Sequence, residues 1–261
     1  MDLKIYQVDA FTDEVFGGNP AAVIPLNHWL SVDLMQAIAA ENNLSETAFF
    51  VPSDDGFDLR WFTPEVEVDL CGHATLAVAH VLFRHENYNE ETINFDTKSG
   101  ELIVNRTGKY LTMNFPATIP EKVDPPSGLL DALGVLSNEI YFKSDYLVLV
   151  ESETELKILK PDFSKLKKID TRGVIVTAPG SDYDFVSRFF APAVGINEDP
   201  VTGSAHTMLT PFWSNRLGKS SFKAAQLSKR GGSLQCNLKG GRVELTGEAV
   251  TFFAGMIYLE G

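Results

Sequence analysis

"RWFTPEVEVDLCGHA" (residues 60–74) and "RFFAPAVGINEDPVTGSA" (residues 188–205) share one layout. Each opens Arg-x-Phe-x-Pro, with Arg60, Phe62 and Pro64 in the first stretch and Arg188, Phe190 and Pro192 in the second. Each closes on a glycine at the start of an apolar helical run, Gly72-His73-Ala74 and Gly203-Ser204-Ala205. Twelve positions separate Arg60 from Gly72 and fifteen separate Arg188 from Gly203, so the second copy is three residues longer. An internal echo of this kind signals a repeated structural unit. It predicts an α+β fold of two similar half-domains facing one another.

The sequence on either side supports that division. "LKIYQVDAF" (3–11) and "NPAAVIPL" (19–26), joined through Gly17-Gly18, have hairpin character. Ser31 stands as an N-cap before Asp33 and the helically spaced Leu34, Met35, Ile38 and Ala39. "ETAFFVP" (46–52) and "FDLRWFTP" (57–64) are strand-like, and residues 73–84 form a helix apolar nearly all round. Three further strands lie within 92–117. Pro120, Pro125 and Pro126 then mark a break, after which "LLDALGV" is helical, "YLVLVES" and "GVIVTAP" are strands, and 233–259 returns to strand character. The expected halves are 1–118 and 119–250, both with mostly antiparallel sheets, and a C-terminal strand at about 251–261 is free to return to the first.

Composition narrows the function. The chain has 261 residues and a formal net charge of −13, which argues against a nucleic-acid partner, because such proteins present a basic face. Lys165, Lys167 and Lys168 are expected in a solvated loop. The first residues lack an apolar core for export, and no run reaches the roughly 18 apolar residues of a membrane span. Cys71 and Cys236 are too few for a disulfide framework, so a cytoplasmic protein with reduced thiols is expected. His28, His73, His80, His85 and His206 show no zinc-type spacing, and no metal is expected.

Chemistry is expected at the two helix starts. A helix N-terminus presents unpaired N–H groups and the positive end of its dipole, and a glycine there lets a ligand approach the backbone. Gly72-His73 and Gly203-Ser204 together can grip one anion, most naturally a carboxylate. Alternatively, each glycine serves only close packing. Glu46, between Leu44 and Ala48-Phe49-Phe50-Val51, is either a proton-transfer group tuned by apolar surroundings or a strand-edge residue facing water. Asp199, in the loop before the second helix, and Ser204 are either site residues or caps. "QLSKRGG" (226–232) is a hairpin turn with Arg230 solvated, or a loop lining the site.

Taken together, "VDAFTDEVFGGNPAAV", "NLSETAFF", "RWFTPEVEVDLCGHATLA", "EDPVTGSAH" and "QLSKRGG" resemble the phenazine-biosynthesis PhzF-like protein family, in order from near residue 8 to near residue 232. The resemblance implies a diaminopimelate-epimerase-like fold, each half a mostly antiparallel sheet wrapped around a central helix, with an active site in the cleft between halves. It implies an isomerase that works without cofactor or metal, a glutamate shuttling a proton on a small carboxylic acid. By motif the catalytic group is Glu46, His73, Asp199 and Ser204. Substrate-binding positions are Asn19, Cys71, Gly72, Thr202, Gly203, Gln226, Arg230 and Gly231. A homodimer is implied in the same way.

One departure limits the chemistry. Epimerase relatives carry a cysteine at each helix start, whereas here Cys71 stands at the first and Thr202 at the second. A thiol titrates near 8.5 and can trade a proton at neutral pH, which an aliphatic hydroxyl cannot. Two-thiol racemisation is therefore excluded. The expected function is a cofactor-free isomerase with Glu46 as acid and base. The alternatives are a one-base epimerase or tautomerase using Cys71, and a non-catalytic binding module of the same fold.

Overall fold

The computed structural model describes residues 1–259. It comprises two compact units, Met1–Asn114 together with the chain from Thr246 onward, and Phe115–Leu245.

In the first unit β1 (Asp2–Ala10) pairs antiparallel with β2 (Asn19–Pro25). The turn between them requires Gly18, whose φ is +60° and whose hypothetical Cβ would lie 2.2 Å from the Ala10 carbonyl oxygen. Helix α1 (Val32–Asn42) is capped by Ser31, whose hydroxyl accepts from the Leu34 N–H, and stops at Asn43 in the left-handed region, φ 50°. It buries Met35, Ile38 and Ala39 against Ile24, Phe49 and Phe62. The chain then forms β3 (Glu46–Ser53), which lies parallel to β2, and β4 (Gly56–Phe62), antiparallel to β3. The two-residue β5 (Glu67–Val68) folds back on β4, and α2 (Gly72–Arg84) follows. Then come β6 (Thr92–Asp96), parallel to β4, and the antiparallel β7 (Leu102–Thr107) and β8 (Tyr110–Pro116).

The second unit runs β9 (Glu121–Lys122), α3 (Leu129–Leu133), β10 (Ile140–Phe142), β11 (Tyr146–Leu149), α4 (Glu153–Ile158) and α5 (Phe163–Leu166). It continues β12 (Val174–Pro179), β13 (Phe185–Ala191), β14 (Ile196–Asp199), α6 (Gly203–Leu217), β15 (Ser221–Gln226), β16 (Gly232–Lys239) and β17 (Arg242–Gly247). A final strand, β18 (Ala249–Tyr258), returns to the first unit and pairs antiparallel along the whole of β1, with a bulge opposite Gln7 and Val8.

The pairings repeat step for step. In the first unit they are β1–β2 antiparallel, β2–β3 parallel, β3–β4 antiparallel, β4–β5 antiparallel, β4–β6 parallel and β6–β7 antiparallel. In the second they are β10–β11, β11–β12, β12–β13, β13–β14, β13–β15 and β15–β16, with the same senses in the same order. The sheets are mostly antiparallel as expected, and the parallel pairs fall where a helical connection intervenes, the geometry that parallel neighbours require.

Each unit is built around its echoed helix. Helix α2 buries every residue from His73 to Ala79 and then Val81 and Leu82. Each buried Leu or Val contributes about 1.5–3 kcal/mol relative to exposure. Helix α6 buries Trp213, which stacks on Phe185 at 5.6 Å and donates its indole N–H to Thr177 Oγ1. Pro211 lies inside α6 and has no N–H for the Thr207 carbonyl four residues earlier. The Thr118 N–H takes that place at 3.0 Å. Lys165, expected in a loop, lies within α5, which Asp162 caps, and pairs with Asp131 at 2.7 Å. No helix among the described residues is long and apolar enough to cross a membrane.

Candidate active site

The echoed arginines show what the repeat encodes. Arg60 donates Nε and Nη2 to the two carboxylate oxygens of Glu67 at 2.7 and 2.9 Å. Arg188 does the same to Glu198, also at 2.7 and 2.9 Å. Each fork ties a β4- or β13-type strand to the short strand that leads into the helix, and so fixes the direction in which that helix begins. The guanidinium of each also lies over the phenylalanine two residues on, Arg60 over Phe62 at 5.4 Å and Arg188 over Phe190 at 4.9 Å.

The helices that follow differ in their caps from α1, α4 and α5. Ser31, Ser152 and Asp162 accept from first-turn N–H groups of α1, α4 and α5. Cys71 before α2 and Thr202 before α6 make no such side-chain bond. The orphan donors of these two first turns are therefore left to the backbone or to a ligand.

At the start of α2 four of the expected residues meet. Glu46 opens β3, His73 is the second residue of α2, and the imidazole Nε2 lies 3.1 Å from Glu46 Oε2. Cys71 Sγ lies 3.5 Å from His73 Nδ1 and 4.0 Å from Nε2. Asn19, the first residue of β2, places its amide nitrogen 3.3 Å from Nδ1. The side chains of His73 and Glu46 are 7% and 14% exposed, so the pair is almost out of water. Burial disfavours the charged imidazole, but Cys71 and Glu46 outweigh it and hold the His73 pKa well above the ordinary histidine value. The Cys71 thiol is pushed up, by burial first and then by Glu46, with His73 only partly opposing. The sequence placed Cys71 and His73 at one helix start and grouped Glu46 with His73 only through the family motif. It gave no sign that a cation would stand against the glutamate, because the contact joins a strand start to a helix start 27 residues away. The three also place one ligand atom each within 4.8 Å of one another, a grouping that sequence spacing did not suggest.

At the start of α6 the arrangement is different. Asp199 ends β14 rather than lying in a loop, and its Oδ2 accepts from the Thr202 hydroxyl. The hairpin β13–β14 carries Asp199 opposite Phe189 and so extends to the residue before Pro200. Neither Asp199 nor Ser204 caps the helix, since Thr202 is its N-cap. Gln226 is fully buried at the end of β15, not in the loop, and locks this turn. Its Nε2 donates to the Asp199 carbonyl at 2.7 Å and to Thr202 Oγ1 at 3.1 Å, and its Oε1 accepts from the Thr202 N–H at 2.9 Å. Residues 227–231 connect β15 and β16 as a hairpin loop, with Gly231 at φ +66°. Ser228 anchors the loop by donating to the Pro200 carbonyl and accepting from the Gly231 N–H, at 2.9 and 3.0 Å, and the neighbouring Arg230 is half-buried. Gly203 is buried in the first turn of α6, while Ser204 is exposed.

Two residues that sequence reasoning missed complete this turn. Arg172 donates Nη2 to Ser204 Oγ at 3.1 Å and holds Asp145 through Nε at 2.9 Å and through Nη2. Asp145 is fully buried and Arg172 is 46% exposed, so a hidden carboxylate orients a guanidinium that remains open to solvent. Neither "KSDYL" nor "DTRGV" carries a local signal for this.

The model of the family described as "Phenazine biosynthesis-like protein" matches residues 8–255. An uncharacterized isomerase of Pseudomonas aeruginosa is 53% identical over 259 residues, 99% of this chain and 100% of that protein. A crystal structure of a phenazine biosynthesis protein of the PhzF family from Enterococcus faecalis superposes with a TM-score of 0.97 at 48% identity, covering 99% of this chain and 100% of that one. A hydroxyproline epimerase from Agrobacterium vitis, 11% identical, matches with a TM-score of 0.64 over 98% of this chain and 92% of that one. At that identity it shows the fold alone, which is the two-half architecture of the epimerases.

Proposed function

Because the chain belongs to the phenazine biosynthesis-like protein family and is an isomerase, we propose that it moves a proton on a small carboxylate-bearing substrate without a cofactor, with Glu46 as both acid and base. The observation that carries this is the contact of Glu46 with His73, 3.1 Å apart and nearly buried. His73 positions the Glu46 carboxyl group, which takes a proton from carbon and returns it elsewhere on the same molecule. Asn19 and Cys71 orient the ring. In this scheme the first-turn N–H groups at Gly72 meet the substrate carboxylate and the enolate-like charge that develops. In the second unit Asp199, Thr202 and Gln226 hold the α6 turn in shape, and Arg230-Gly231 borders it.

The test is deuterium exchange. Small unsaturated and amino carboxylic acids are screened by NMR in deuterated buffer with the parent and with Glu46→Gln. The expected outcome is washing of solvent deuterium into one C–H position by the parent and none by the variant, which keeps its fold and its ligand binding. Equal exchange by both proteins rejects Glu46 as the base. Binding without exchange by the parent marks a ligand-binding module instead.

We also infer a homodimer. Support comes from the outward side chains of β18, where Phe252, Phe253, Met256 and Tyr258 are exposed and Phe16 packs edge-on to Phe252 at 5.5 Å. Sedimentation of Phe252→Ser/Met256→Ser should report a monomer where the parent is a dimer; a parent that sediments as a monomer rejects the inference.

A further inference from the structure

The first unit contains a cavity of about 710 Å³ at the far end of α2, walled also by β7, the turn after it and the start of β18. A cavity of that size admits a small organic molecule. The chain carries a net charge of −13, yet among the described residues this cavity is lined by Arg84, Arg106 and Lys109 against one acid, Glu248. Lys109 takes up that acid at 2.9 Å. Arg84 and Arg106 pair with no acid among the described residues, whereas Arg60, Arg172, Arg188 and Arg216 each hold a carboxylate. Arg84 lies in the last turn of α2, where a cation complements the helix dipole. Arg106 reaches the cavity from β7, its guanidinium 4.3 Å over the Phe83 ring. A ring face covers the plane of a guanidinium and leaves the N–H donors along its edge for another partner. The rest of the polar wall is uncharged. His80 and His85 both meet the Thr251 hydroxyl through Nε2, at 2.9 and 2.7 Å. A hydroxyl has one proton to give, so at least one ring presents Nε2–H to it. Burial first, then His85 and Arg84, lowers the His80 pKa to about 4; burial and Arg84 lower that of His85 against Glu86. The net positive charge of the cavity therefore rests on the two arginines.

We propose that this cavity binds a small phosphate monoester with an apolar body, Arg84 and Arg106 holding the phosphate. The site is independent of the proton transfer assigned to Glu46. A phosphate monoester carries about −1.5 to −2 charges at neutral pH, which two unpaired guanidinium groups balance. A carboxylate balances one of them and leaves the other alone. The edge of a guanidinium also presents paired N–H donors that match phosphate oxygens. Phe83, Leu111 and Val250 on the same walls supply apolar surface for the remainder of the molecule. Binding is non-covalent, so no bond forms or breaks.

The experiment uses the whole chain with phenyl phosphate as the probe, read by titration calorimetry and by the histidine ring C–H signals in NMR. One equivalent should bind, and the signals of His80 and His85 should shift while that of His28, outside the cavity, does not. Benzoate, which lacks the second charge, and inorganic phosphate, which lacks the body, should each bind at least tenfold more weakly. Arg84→Gln and Arg106→Gln should each weaken phenyl phosphate by tenfold or more. Arg106→Lys, which keeps a charge over Phe83, should fall between the parent and the Gln variant. Lys160→Gln, a cation outside the cavity, should leave binding unchanged. Failure of the parent to bind phenyl phosphate at millimolar concentration overturns the site. Binding that persists undiminished in both Gln variants places the anion elsewhere and overturns it too. Benzoate bound as tightly as phenyl phosphate overturns the phosphate assignment, and inorganic phosphate bound as tightly overturns the apolar body.

Discussion

Burial raises the Cys71 thiol, Glu46 adds to the effect and His73 only partly offsets them, so the thiol is poorly placed to serve as a base at neutral pH. Cys71→Ser should accordingly keep turnover within about tenfold of the parent once a substrate is found. A loss beyond about a thousandfold is the size expected for a catalytic group, and would transfer the role from Glu46 to sulfur. His206 supports a second expectation. It sits one turn into α6, bonds through Nδ1 to the Thr202 carbonyl at 2.8 Å, and keeps Nε2 buried without a hydrogen-bond partner. Desolvation lowers its pKa from 6.5 to about 4, the bond to Thr202 opposing it weakly. A depressed histidine binds its proton more readily in the unfolded chain. The stability it contributes is therefore present above pH 6.5 and is lost as pH falls from there toward 4. Between pH 7 and pH 5 the loss is about 2 kcal/mol. Urea unfolding of His206→Gln at both pH values should show a pH-dependent loss smaller by that amount; an unchanged difference refutes the assignment. His73 runs the other way. Because its pKa is raised, the stability it contributes is fully present below pH 6.5 and is lost as pH rises from there through the raised value.

At the scale of elements, the two Arg–Glu forks look alike but carry different weight. Glu67 also accepts Lys98 at 2.6 Å, so removing Arg60 leaves it a cation. Arg188 additionally donates Nη1 to the Leu156 and Leu159 carbonyls at 3.2 and 2.9 Å, closing the end of α4. Arg188→Ala should destabilise by about 3 kcal/mol, since it strands a largely buried carboxylate and two carbonyls. Arg60→Ala should cost about 1–2 kcal/mol, read from urea midpoints. Equal losses would show that the second copy's extra bonds contribute nothing. These forks explain why the repeat was legible. Arg-x-Phe-x-Pro is a local pattern, and its arginine, phenylalanine and proline each have a structural use within one hairpin. The chemistry around it was legible only in part. Glu46 stood out because a carboxylate among Ala48, Phe49 and Phe50 breaks an apolar strand, and His73 because it follows Gly72. Arg172 and Asp145 did not, because each looks like an ordinary loop charge until β11 and β12 lie parallel and bring them together. Asp199 was placed in a loop because the following proline reads as a break, whereas the strand continues to the residue before it.

For the whole molecule, the decisive feature is that β1 takes β2 on one side and β18 on the other, the latter from Asp2 opposite Tyr258 to Ala10 opposite Ala249. The first and last described residues meet there, the Met1 amino group donating to the Leu259 carbonyl at 2.8 Å. This arrangement sets a timetable for biosynthesis. A ribosome works from β1 toward β18, so the first unit lacks its last strand until almost all of the chain has been polymerised, whereas everything from Phe115 to Leu245 is already available. Domains generally fold as units while the chain emerges. On nascent chains stalled just after residues 115–245 have cleared the exit tunnel, protease should spare that middle segment and cut freely in the first hundred residues. The N-terminal part, though made first, would then be the last to become resistant.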